Sequence, residues 1–284
     1  MKKMQGFMVA FLVMVIAWTG AAEAGSIFLT GHDPDFHASL GGNTTGARNI
    51  NNAAIDFIMD PAFNPFVAGG LNTFLFVESK GIPPGGHTAG VNGITASGYL
   101  PGVDFVHHDS TTLGTALDGL GTDYSGIVVA SDFGGILTQK ELDILNARSA
   151  DIISFLNAGG GLYAMAESNN GAGLTPGGGQ FGFLPFVVTS TSFNLTETGI
   201  TVTPFGASLG LTNSDVNGNF SHNIFNGAFG LNPVDVDQSG NILTLAGRGQ
   251  VTPGGVSVPE PSTMLLLGSG FIGWLGLRKR FKRG

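Results

Sequence analysis

Short apolar runs alternate along this chain with stretches of helical spacing, and that alternation restricts the fold more than any other feature. Residues 26–30, 74–77, 103–106, 126–130 and 162–166 each read as a strand. Between the first two, Ala47, Ile50, Ala54, Phe57 and Ile58 recur at helical spacing, and Pro61 stops the helix. The run Gly126-Ile127-Val128-Val129-Ala130 is apolar without interruption, which suits a parallel strand covered on both faces. A capping box, Thr138-Gln139-Lys140-Glu141, opens the next helix, because the Thr and Glu side chains each satisfy an orphan backbone donor. Leu142, Leu145, Ile152 and Leu156 mark its buried stripe, and Gly159-Gly160-Gly161 ends it. Beyond Gly171 the helical spacing fades, and 183–188, 200–205 and 242–245 read as further strands. The expectation is an α/β fold in three layers: a largely parallel sheet, Gly-rich loops and a β-rich C-terminal part.

The two ends do not belong to this fold. Lys2 and Lys3 precede an apolar stretch over 6–18, and Ala22-Glu23-Ala24 offers small residues where a signal peptidase reads them. Residues 1–24 are therefore expected to be a secretory signal peptide cut after Ala24. At the other end, Pro259-Glu260-Pro261 precedes the apolar run 264–277, and the basic cluster Arg278-Lys279-Arg280-Phe281-Lys282-Arg283 follows it. Cations flanking an apolar segment stay on the cytoplasmic side of a membrane. At 1.5 Å per residue the run makes a helix of about 21 Å, short of a ~30 Å hydrocarbon core, and its four glycines weaken it. A marginal span of this kind suits a temporary anchor.

Motif, short span and basic cluster, in that order, resemble the PEP-CTERM sorting signal of Gram-negative bacteria, over 259–284 only. The resemblance implies export, retention in the inner membrane by the 264–277 helix, and processing near Pro259, Glu260 and Pro261 by an exosortase-type transpeptidase. It further implies a destination at the cell surface or in an exopolysaccharide-rich matrix. The expected organisation is a signal peptide (1–24), an extracytoplasmic domain (25–250), a linker (251–258) and the sorting signal (259–284).

The body between the ends, 25–258, carries five cations against eighteen acids, a net charge of −13. That charge disfavours nucleic acid, which needs a basic footprint. The chain has no cysteine, so disulfides, thiol nucleophiles and thiolate metal sites are excluded, and stability must come from a packed core. Forty of the 47 glycines lie in the body, more than double the average share of about 7 %, gathered in loops such as Pro83-Pro84-Gly85-Gly86.

Residues 124–168, with Ser221-His222-Asn223-Ile224-Phe225 further on, resemble the class I glutamine amidotransferase-like fold, one of the flavodoxin/amidotransferase-like arrangements. In that family a strand, a capped helix and a second strand lead to a sharp turn carrying the nucleophile, which here falls at Glu167-Ser168-Asn169. The family's cysteine is missing, so the resemblance implies the fold and not the activity.

In an open parallel sheet, ligands bind beyond the carboxyl ends of the strands. Polar residues gather there: His32, Asp33, Asp35 and His37 after the first strand, Glu78 after the second, and His107, His108 and Asp109 after the third. Asp132 follows the fourth strand, Glu167 and Ser168 follow the fifth, and His222 is a further candidate. Two His and two Asp within six residues have the chemistry to ligate a divalent cation, but no known ligand spacing is matched, and Asp33-Pro34 serves a turn equally well. No cofactor is therefore expected, a divalent cation being the one candidate. Ser168 would need a base and an orienting group to act as a nucleophile. Alternation points only one of His107 and His108 toward the crevice. Segments 215–219 and 235–240 lack the acidic twelfth position of a calcium loop and read as turns. Gly177-Gly178-Gly179 lacks the Lys-Ser/Thr of a phosphate loop.

Three functional readings follow. The favoured one is an exported surface or matrix protein associated with exopolysaccharide and without catalysis of its own. The alternative is an exported hydrolase-like enzyme, metal-dependent if the cluster holds a cation, working at the carboxyl edge of the sheet. A carbohydrate-binding module ranks behind both, because Trp18 and Trp274, the only tryptophans, lie outside the body.

Overall fold

The computed structural model describes residues 25–79, 90–132, 137–168, 174, 179–188 and 195–257. The expected signal peptide, the Pro-Glu-Pro motif, the 264–277 span and most of the 177–179 glycine run lie outside the described residues. Among the described residues, no helix is long and apolar enough to cross a membrane.

Nine strands form the sheet: β1 (Gly25–Thr30), β2 (Phe74–Val77), β3 (Phe105–His108), β4 (Gly126–Val129), β5 (Gly161–Ala164), β6 (Thr201–Val202), β7 (Asn232–Val236), β8 (Ile242–Thr252) and β9 (Gly255–Ser257), in the order β3-β2-β4-β5-β1-β8-β7-β6, with β9 paired to β8. The parallel half comprises β1, β2, β3, β4 and β5. Every residue of β1, β2, β4 and β5 is buried, as their unbroken apolar runs require. Alternation then divides them between two faces. Ile27, Leu75, Ile127 and Leu162 meet α5 (Leu113–Ala116), α6 (Gln139–Ala147) and α7 (Ser149–Asn157). Phe28, Phe76, Val128 and Tyr163 meet α2 (Thr44–Ile58) and α4 (Gly90–Ala96). Two further single-turn helices, α1 (Pro34–His37) and α3 (Pro65–Ala68), flank α2 in the chain. The helices thus cover both faces, giving the expected three layers.

The C-terminal part is β-rich and antiparallel. β6 pairs with β7, β7 with β8, and β8 with both β1 and β9. In a flavodoxin-type sheet the first strand lies between the second and third. Here β1 lies beyond β5 and takes β8 as its other neighbour, which removes an apolar parallel edge.

Several boundaries differ from expectation. α2 begins at Thr44 because the Asn43 side chain caps it, accepting from Gly46 N–H at 3.0 Å. The helix opened by Thr138 breaks at Arg148 into α6 and α7. Residues 183–188 form turns and bends, not a strand. The run at 200–205 is β6 followed by α8 (Pro204–Ser208), because Pro204 fits the first turn of a helix and its Thr203 cap accepts from Gly206 N–H at 3.1 Å. The segment 215–219 begins inside a capped helix, α9 (Asn213–Val216), and Asp235 is a buried residue of β7, not part of a turn. The expected linker 251–258 is, as far as 257, a hairpin closing on β9.

Candidate functional site

The carboxyl edge is polar and deeply buried. Past their strand ends the chains stay aligned: Asp132 N–H donates to Ala166 O at 2.8 Å, Ala166 N–H to His32 O at 3.0 Å, and His222 N–H to Gly31 O at 2.6 Å. Gly31 is required there, because a Cβ would lie 2.4 Å from Asn223 O. This extension brings Asp33, Asp35, Asp132, Glu167, Ser168 and His222 to one place, and none is more than 3 % exposed.

Asp35, Asp132, Glu167 and Ser168 bond to neighbouring side chains or local backbone, whereas the buried Asp33 oxygens have no hydrogen-bond partner among the described residues. Asp33 Oδ1 stands 3.4 Å from His222 Nε2 and 3.5 Å from His37 Nε2, neither contact having hydrogen-bond geometry. Asp35 accepts from Ser131 N–H and Oγ–H, both at 2.8 Å, and from Phe36 N–H at 3.0 Å. Ser168 Oγ donates to both oxygens of Asp132, at 3.1 and 3.3 Å. Glu167 accepts a short bond from Phe181 N–H, and Phe181 adopts a left-handed backbone with φ 52° to make it. Asn223 clasps the Glu167 peptide on both sides, accepting from its N–H at 2.7 Å and donating to its carbonyl at 2.9 Å.

His32 does not join the group. Its Nε2 lies 3.0 Å from Asp235 Oδ2, on the antiparallel side of β1. The two histidines of β3 diverge, as alternation demands. His107 approaches the Glu78 carbonyl at 2.9 Å and its carboxylate at 3.6 Å, whereas His108 pairs with Tyr124 Oη at 2.9 Å. Asp109 holds its own turn through Thr111.

Burial sets the electrostatics. It pushes the Asp35 pKa up to about 7, with Asp33 adding to the rise and the Ser131 and Phe36 bonds opposing it. Burial also holds Glu167 well above the usual carboxylate range, against the Phe181 bond and with help from Asp132. For His222, burial disfavours the charged ring, but the Asp33, Asp132 and Asp35 carboxylates outweigh it and raise the pKa. Ser168 bonds to an acid and not to an imidazole, so the arrangement that activates a serine nucleophile is not made. Among the described residues, no three His, Asp or Glu side chains are disposed to hold a metal ion. The narrow cleft between His32, Asp33, His37, Asp215 and Asn219 has no room for a water molecule.

The opposite edge is open. A cleft of about 470 Å³ lies where the chain enters the amino ends of β2, β4 and β5. Phe66 and Phe155 form its apolar wall, stacked at 5.5 Å with an interplanar angle of 18°. Gly121, at φ 81°, leaves room for Phe66, whose ring would lie 2.9 Å from a Cβ there. On the rim Arg148 binds Asp118 at 2.6 Å, Asp151 at 2.5 Å and Gly114 O at 2.7 Å. Sequence reading missed this cleft because its residues come from three connections with no common motif. It also missed Ser131, Asn223 and Asp235, the last two being visible only as neighbours of His222 and members of a turn-like run.

The molecule is thus an α/β domain with a buried polar cluster at one sheet edge and an amphipathic cleft at the other. Residues 257–280 match the PEP-CTERM protein-sorting motif. The motif marks the chain as an exported substrate of an exosortase-type sorting system, processed at the membrane on its way to the cell surface. No curated protein and no solved structure matches the chain.

Proposed function

We propose that the chain is a surface or extracellular-matrix protein that binds exopolysaccharide through the amino-edge cleft and catalyses no reaction. In this reading residues 1–24 are removed by signal peptidase, and the 264–277 segment holds the chain in the inner membrane until processing. The observation that carries the reading is the open cleft at the amino edge, set against the buried side chains of the carboxyl edge. The polar cluster is buried, whereas the cleft has a volume of about 470 Å³, within the ~300–1,000 Å³ range of ligand sites. Its Phe66 wall suits the C–H face of a sugar ring, and Asp118 and Asp151 suit hydroxyl donors. Two acids against one Arg on the rim, in a body of net charge −13, favour neutral or amino sugars over uronic acids. Phe in place of Trp implies weak single contacts strengthened by repetition along a polymer.

The test is calorimetric titration of the processed protein with neutral, amino and uronic-acid oligosaccharides. Binding to the first two that Phe66→Ala abolishes and His222→Ala leaves intact is expected. Absence of binding to both, or dependence on His222 in place of Phe66, overturns the reading. A hydrolase-like function at the carboxyl edge is the second reading, favoured by one observation: Asp35, Glu167 and His222 all favour their protonated forms, as general acids do. A hydrolytic activity lost in Asp35→Asn would select it.

A further inference from the structure

The sorting motif begins inside the folded sheet. Its match starts at Ser257, which is the last residue of β9. β9 pairs with β8 through Thr252↔Gly255, Val251↔Val256 and Gln250↔Ser257. On its other side Val256 N–H donates to Phe229 O at 2.5 Å. Three glycines allow this double clasp. A Cβ on Gly230 would lie 1.7 Å from Val256 O, one on Gly249 would lie 2.5 Å from Ser257 O, and one on Gly255 would lie 2.3 Å from Phe229 O. Val251 and Val256 are both buried in the core, so the strand is held by packing as well as by its backbone.

Enzymes that read an extended peptide engage its backbone N–H and C=O groups on either side of the recognised residues. In β9 those groups are already bonded within the protein. Only Val258 separates β9 from Pro259, and the two steps from Ser257 to Pro259 reach at most about 7 Å. An enzyme that closes around Pro259-Glu260-Pro261 therefore meets the folded body at once.

We infer that β9 is a latch on processing: the exosortase-type enzyme acts on the form in which β9 has left the sheet. Phe229, Gly230, Gly249 and Gly255 then act as positioning residues that set the processing rate through the fraction of open latch. The latch couples maturation to the C-terminal hairpin and leaves the motif itself unchanged.

The experiment follows tail removal by pulse-chase in the full chain, in a host with the sorting system. One variant inserts a flexible Gly/Ser linker of about ten residues between Ser257 and Val258. It keeps β9 in place and the motif, apolar run and basic cluster in register with one another. Processing is expected to accelerate about tenfold, because the linker offers free extended backbone upstream of Pro259 without β9 having to leave the sheet. A second variant, Gln250→Cys with Ser257→Cys, places two thiols at paired positions in a chain that otherwise has none. Oxidation should arrest its processing and reductant should restore it, while Ser257→Cys alone is processed normally. A linker chain processed at or below the wild-type rate, or an oxidised double-cysteine chain processed as fast as the reduced one, overturns the inference.

Discussion

The two edges of the sheet are built from the same kinds of residue to opposite ends. At the carboxyl edge, acids and imidazoles are buried together. At the amino edge, two acids and an arginine stand over an aromatic wall beside about 470 Å³ of open cleft. The first edge has the more unusual chemistry and the second has the room. Perturbed titration marks burial as readily as catalysis, so a cluster of shifted groups becomes a site only when a ligand can reach it.

The sharpest way to break this comparison is Asn223→Ala. If the carboxyl edge is structural, its hydrogen bonds are what it contributes. Asn223 bonds both the N–H and the carbonyl of the buried Glu167. Stranding two buried backbone groups costs about 1–3 kcal/mol each, so a loss of roughly 2–6 kcal/mol is expected in urea denaturation. A loss below about 0.5 kcal/mol would mean that the edge admits water and is more open than its burial implies.

The pH dependence of stability is the next test. Asp35 has its pKa raised to about 7 from 3.8, and Glu167 and His222 are also raised. In each case the folded protein holds a proton that the unfolded chain releases, so stability falls as pH rises. For Asp35 the fall begins near its unfolded value and is complete above about pH 7. His222 adds a loss that begins near the ordinary imidazole value of 6.5 and continues through its raised folded value. At about 1.4 kcal/mol per unit, Asp35 contributes on the order of a few kcal/mol. The urea midpoint is therefore expected to be higher at pH 5 than at pH 8, with Asp35→Asn removing its share of the slope below about pH 7 and Glu167 and His222 retaining theirs. A midpoint independent of pH would show that water and ions screen the cluster, which favours the catalytic reading.

The sequence makes much of the parallel half legible because β1, β2, β4 and β5 are short apolar runs and α2 and α6 have a stripe or a cap. β3, which ends in two histidines, lies at Phe105–His108 and not at the expected 103–106, and α4 and α5 carry no such signal. Thr138 and Glu141 mark a helix start that the fold keeps. The antiparallel half is less legible because its strands are set by partners distant in the chain. β6 is two residues long and exists through Val236 and Asp235, and β9 exists through β8 and Phe229. At the carboxyl edge the topology of a parallel sheet foretells that Asp33, Asp35, Asp132, Glu167 and Ser168 come together. It does not foretell that His32 turns away to Asp235, or that Ser131 and Asn223 occupy the bonding groups of Asp35 and Glu167. The amino-edge cleft carries no sequence signal, since an aromatic pair such as Phe66 and Phe155 reads as ordinary core.

The smallest stability effect sharpens the comparison from the other side. Asp118 is 68 % exposed and pairs with an Arg148 that is 28 % exposed. Exposed pairs contribute about 0–1 kcal/mol, because water screens the charges and holding two long side chains costs entropy. Arg148 would in any case keep Asp151 and the Gly114 carbonyl as partners. Asp118→Asn should therefore leave the thermal midpoint within about a degree or two of wild type. Its effect on saccharide binding should be larger, since an amide keeps the shape of the carboxylate but accepts more weakly from a sugar hydroxyl. Loss of roughly 1 kcal/mol in binding, about a fivefold weaker constant, is expected at unchanged stability. Equal binding by Asp118→Asn and wild type would take the rim out of the site and leave only the Phe66 wall. A change in stability larger than the change in binding would make the amino edge structural too, and the contrast between the edges would fail.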